Sequence, residues 1–173
     1  DCYIPYLGMI VGMLGKLNTK KHDYETLSSL MDEKIGSMSY HIQALHDNKH
    51  EDKYLPVFLI QSKALLGSIK DQVALMHEVL IDTLFEDEGR LLEIIKEMKA
   101  LMESAISSDG HRIAYSRLLA HFTGAEHFEE KTKGITFYHF VCEIEKNWQS
   151  VKEETLKMLK QAYAYLANRQ RIT

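Results

Sequence analysis

The sequence predicts an α/β chain of the α+β kind: a small antiparallel sheet built on one β-hairpin, packed by helices and followed by a helical C-terminal segment. Three observations predict it. From Ser37 to Leu45 the chain alternates, with Met38, Tyr40, Ile42 and Ala44 on one face and Ser39, His41 and Gln43 on the other. That period belongs to a half-buried strand. A polar run, Asp47 to Asp52, separates it from a second apolar run, Tyr54 to Leu65, so the pair over 37–65 reads as a hairpin. Beyond Ser68 the apolar residues recur at three- and four-residue spacing, the period of helices that bury one face.

The elements follow in order. Ile4 to Leu17 is apolar and long enough for a buried helix. Gly8, Gly12 and Gly15 lower its intrinsic propensity but clear one face for the close approach of another backbone, with tight packing on a sheet as the expected reason. Asp23 caps a second helix running through Glu33 and stopping near Gly36. In the second strand Pro56 belongs near the start or on an edge, because it has no N–H for a ladder. Ser68 with Asp71 reads as a capping box for a helix whose stripe is Ile69, Val73, Met76, Leu80 and Leu84. The acids Glu86, Asp87 and Glu88 suit the positive end of the next helix dipole. That helix carries Leu91, Ile95, Met98, Met102 and Ala105 inward and ends near Ser107. A helix over His111–Phe122, a polar loop, and an aromatic helix over Ile135–Ile144 come next. Ser150 and Glu153 form the expected cap of the last helix, with Trp148 stapling its start and Val151, Met158, Leu159, Ala162 and Leu166 inward.

Composition narrows the function classes. The chain has 173 residues, 45% hydrophobic and 27% charged, with 21 basic against 25 acidic residues and a formal net charge of -4. There is no basic footprint for nucleic acid and no apolar run near the roughly 18 residues of a membrane span. Cys2 and Cys142 stand outside any CxxC and read as reduced thiols of a reducing compartment. Asp1 follows no initiator Met and no signal peptide precedes it, so an excised segment of a longer polypeptide is expected. The division expected is 1–85, a partial α/β unit, and 86–173, a helical segment packed on it as one compact body.

The candidate sites are few. The zinc-peptidase patterns HExxH and HxxEH are absent. His121, Glu126 and His127 come nearest, but the histidines are six apart across Gly124 and share no helix face; a surface loop is expected. His46 and His50, with Asp47 and Asp52, flank the hairpin turn and have the donor set of a zinc site, although a solvated turn has the same composition. His77 and Glu78 are adjacent on a helix and therefore diverge. No nucleophile elbow or phosphate loop is present. Tyr138, Phe140 and Trp148 form either core or a ligand groove. Glu93, Glu97, Lys96 and Lys99 read as a solvated helix face. No catalytic, cofactor or metal residue is assigned to this chain.

Several segments in order resemble the insulinase/pitrilysin-type zinc metallopeptidases, in the presequence-protease branch. Ile4–Thr19 followed by Tyr24–Ser37 resembles the helix-turn-helix-glycine entry of the peptidase repeat, and Leu84–Val141 the helical segment after it. The most specific residues are Gly110-His111, Arg117-Leu118, Gly134 and Tyr138-x-Phe140. The resemblance implies the second, metal-free half of an internally duplicated enzyme. Matching Thr19 to the threonine after the metal helix puts the ligand positions on Met9 and Met13 and the base position on Gly12. Thioethers are poor zinc ligands and glycine is no base.

The function so implied is a non-catalytic, chamber-forming segment of a zinc-dependent, peptide-degrading metalloprotease, inactive alone. Zinc is expected in the N-terminal catalytic half of the same polypeptide, which is the expected partner, with unstructured peptides as substrates. The expected location is a bacterial cytoplasm or an organelle matrix. Missing neighbouring strands would leave sheet edges open to self-association. The rival readings are an independent helical module binding protein or peptide, and a small metal-binding protein using His46 and His50.

Overall fold

A computed structural model describes residues 2–46 and 53–168. In chain order the elements are α1 (Ile4–Met13), α2 (Tyr24–Lys34), β1 (Ser37–His46), β2 (Tyr54–Lys63), a 3-10 turn (Leu66–Ser68), α3 (Ile69–Asp82), α4 (Glu88–Ser108), α5 (Gly110–Leu119), α6 (Gly124–Lys133), α7 (Ile135–Lys146) and α8 (Trp148–Leu166). The fold is α+β: mostly helical, with one antiparallel two-stranded sheet. Its register pairs Ser37 with Lys63 and His46 with Tyr54. Pro56, third in β2, stands opposite Ala44. The inward face of β1 is as the alternation predicts, with Ile42 and Ala44 buried and His41 exposed.

The main core gathers around α1. Met9, Ile10 and Met13 are fully buried against Ile94, Ile95 and Leu159 of α4 and α8. A smaller cluster, Ile42, Ala44, Ala125 and Phe128, joins the hairpin to α6. There the amide of Ala44, on the open edge of β1, donates to Glu129 Oε1 at 3.4 Å. Glycine spacing does allow close approach, but at Gly8 the neighbouring backbone is a helix, where a Cβ would strike the Thr132 carbonyl of α6, and only Gly15 of the three lies against the sheet, beside Tyr40 of β1. Gly12 faces the Met98 thioether instead, where an added Cβ would lie 3.0 Å from Sδ.

Several boundaries differ from the sequence reading. The first helix stops at Met13, four residues before Leu17, because Gly15 takes φ +77°, a left-handed turn suited to glycine. Leu14 and Leu17 are buried all the same. Thr123–Gly134 is no polar loop. It holds α6, capped by Thr123, whose Oγ1 accepts the Glu126 amide at 3.2 Å. Ser150 does not cap α8. The helix starts at Trp148, and Ser150 Oγ donates to the Asn147 carbonyl at 2.8 Å from within the first turn. Ser68 likewise makes no side-chain cap. Ala105 is exposed, and α5 buries none of its residues.

The largest correction concerns α3. Its buried residues are Leu75, Glu78 and Val79, not the predicted stripe, and Ile69 and Val73 are 44% and 60% exposed. Two stripes compete on this helix. The stripe that joins the core is that of Leu75 and Val79, and Glu78 can lie on it because Thr19 and His22 hydrogen-bond its carboxylate.

Candidate functional site

Helix α1 is where the family resemblance places the chemistry of the paired half. Met9 and Met13 lie four apart and so share one face of the helix. Both are fully buried, and Met98 fills the space in front of Gly12. Three thioethers in an apolar core offer zinc neither the nitrogen nor the oxygen donors it takes, and give a substrate no access. The residues at this position do not fit zinc.

Sequence reasoning missed two polar clusters. In the first, Glu78 is 4% exposed and its Oε1 takes the Thr19 hydroxyl at 2.5 Å and His22 Nδ1 at 2.8 Å. Thr19 Oγ1 in turn accepts the amides of Lys21 and His22 at 3.2 and 3.0 Å. Backbone bonds from Lys20 to Asp82 and from Leu84 to Asn18 flank this knot. It fastens the loop after α1 to the end of α3. Tyr163 of α8 closes it from beneath, accepting the Thr83 amide at 3.1 Å, and burial pushes its phenol above the ordinary value. The carboxylate–imidazole pair resembles an acid–base dyad, but its hydroxyl is itself buried and occupied.

In the second, Glu130 of α6 is 5% exposed. One oxygen, Oε1, accepts three donors: Arg117 Nη1 at 2.6 Å, the Thr136 amide at 2.9 Å and the Thr136 hydroxyl at 3.0 Å. It thereby caps the N-terminus of α7 from the preceding helix, where the dipole favours an anion. The other oxygen, Oε2, is buried without a hydrogen-bond partner and lies against Gly134. No spacing rule pointed to either carboxylate. The one usable signal was the Thr123-x-x-Glu126 box that starts α6.

The sequence candidates fall as follows. His121, Glu126 and His127 do not converge, and Glu126 instead meets His46 at 3.7 Å. Asp47, His50 and Asp52 lie outside the described residues. Among the described residues no three His, Cys, Asp or Glu side chains gather as metal ligands. His77 is exposed and Glu78 buried, so they diverge as expected. Phe140 packs edge-on to Tyr6 at 5.1 Å and Trp148 is buried, while Tyr138 reaches out to Glu103 at 3.0 Å. Cys142 and Glu103, both hydrogen-bonded to it, hold the Tyr138 phenol well above its usual range. The clefts are shallow. One of about 400 Å³ is lined by Lys96, Lys146, Trp148 and Ser150, and does not include Tyr138. Another of about 190 Å³ lies between Gly8, Gln43 and Thr132. Neither aligns a nucleophile with a base. Of the charged face, Glu97 pairs with Lys16 at 3.2 Å and Lys99 with Glu145 at 3.0 Å.

The family model described as peptidase M-16C associated matches residues 1–144. The chain belongs to the peptidase M-16C associated family. Over 158 residues this peptidase-associated segment is 32% identical to protein HypA of Clostridium perfringens, covering 91% of the segment and 16% of that protein. It is 23% identical over 152 residues to presequence protease 1, chloroplastic/mitochondrial, of Arabidopsis thaliana, covering 86% and 14%. With the mitochondrial presequence protease of Mus musculus it shares 24% over 131 residues, 76% of the segment and 13% of the mouse protein. The segment therefore spans about one-sixth of these relatives or less. Among the described residues no helix is long and apolar enough to cross a membrane.

Proposed function

We propose that this segment is a non-catalytic wall of a peptide-degrading chamber in a zinc metallopeptidase resembling presequence protease, and that it is inactive alone. The observation that carries the reading is α1. Its face holds Met9 and Met13 fully buried, with Gly12 against Met98. A helix that held metal and base would need donors open to substrate, and this one presents a packed apolar surface. Zinc and the catalytic base are supplied by another part of the same polypeptide, which is the segment's partner. The substrates are unstructured peptides, the class that a closed chamber admits. A bacterial cytoplasm is the proposed location, with an organelle matrix as the other.

The test is direct. The purified chain, checked for helical content by circular dichroism, is expected to leave an unstructured peptide intact with or without added zinc. The longer polypeptide is expected to cleave that peptide and to stop when zinc is chelated. Chelator-sensitive cleavage by the 173-residue chain alone would overturn the inactive reading.

A further inference from the structure

Helix α3 shows an apolar face that the rest of the described chain leaves bare. Leu66, Ile69 and Val73 stand three and four residues apart along a helical run that begins in the 3-10 turn, so they share one side. They are 87%, 44% and 60% exposed, and Leu65 beside them is 82% exposed. The opposite side of α3 is already committed to the core through Leu75 and Val79. Four large aliphatic side chains in a row are more than the scattered exposure normal for a surface. The face also adjoins β2, which ends at Lys63 and, among the described residues, is paired on one edge only.

We propose that the Leu65–Leu66–Ile69–Val73 face is a docking surface, and that it is covered by another stretch of the same polypeptide. This rests on the reading of the segment as part of a larger peptidase. Two considerations select that occupant. A stable contact between separate molecules buries about 800 Å² on each partner, and four side chains supply only part of that. A covalently linked stretch needs far less, because it is held at an effective concentration near millimolar. The relatives are long enough to provide one, since the segment covers only 13–16% of them. Charge points the same way. Lys63, Lys70 and Asp71 border the face with both signs and are exposed, so there is no one-sign field to gather a membrane or a nucleic acid. The occupant is an apolar strand or helix face.

Photo-crosslinking in the intact longer polypeptide tests this. A benzophenone amino acid in place of Leu66 sits at the most exposed position and disturbs no packed contact. The expected product migrates as a single chain, and peptide mapping places the second attachment point outside residues 1–173. A product of twice the chain mass would identify a second copy as the occupant and overturn the proposal. Attachment confined to residues 1–173, or reaction with solvent alone, would overturn it too. Peptide hydrolysis is measured on the same preparation. A crosslinked but inactive polypeptide sinks the peptidase reading and leaves the docking surface standing. An active polypeptide without the crosslink sinks the docking surface alone.

Discussion

Gly134 is the residue on which the α6–α7 corner turns. The Glu130 carboxyl lies so close beneath it that a methyl group has no room. Gly134→Ala is expected to cost about 1–3 kcal/mol, the usual penalty of overpacking a tight site, measured by urea unfolding. Titration gives two further expectations. Asp23 accepts the Thr26 amide at 2.7 Å, and that bond holds its carboxyl below the ordinary 3.8. A lowered folded value means the contribution is complete above the unfolded value and fades as pH falls through the folded one. Acid should therefore loosen α2 below about pH 4, and Asp23→Ala should remove that part of the acid dependence in a melting-temperature series. Tyr40 and Tyr163 have the opposite sign. Burial raises both phenols above 10.0, so their contribution is complete below that value and is lost as pH climbs through the raised folded ones. Tyrosinate absorbance should therefore rise at higher pH in the folded protein than in the urea-unfolded chain. The buried carboxylates themselves were not legible in the sequence. A lone Glu in a helix reads as solvated, and Glu78 meets His22 only across 56 positions of chain.

Helices differ in how firmly they are held. No residue of α5 is fully buried; Arg117 ties it to Glu130 and Thr136, and only Ile113 and Leu119 are half-buried apolar side chains. Its amides should exchange with deuterium far faster than those of α4 around the fully buried Leu91, Ile94 and Ile95. Equal protection in the isolated chain would contradict this account. Strong periodicity made β1, α4 and α8 readable, because each commits one face to the interior. Helix α6 was hidden for the converse reason. Half of its sequence, GAEHFEEKTK, is charged, and its place in the fold depends on Ala125 and Phe128 filling the space under the hairpin. Helix α3 misled because apolar spacing fits two faces, and the sequence cannot count the partners that a third element will bring.

Across the whole molecule one core runs from Met9 in α1 to Ala162 in α8. Leu159 is fully buried within it. Leu159→Ala is expected to cost about 2–5 kcal/mol in denaturant unfolding, as cavity-forming substitutions do. The family was legible through short segments read in order, such as Gly110-His111 and Tyr138-x-Phe140, rather than through any one motif. The packing of α1 on α6 was half legible: glycine spacing announced a close neighbour without saying which. Met9 and Met13 carry one more consequence. A thioether turns to sulfoxide only when oxidant reaches it, and these two are sealed while Met31 and Met102 are partly open. In dilute peroxide the half-open methionines should gain oxygen first. Mass spectrometry of the Met9 peptide then becomes a clock for how often the core breathes.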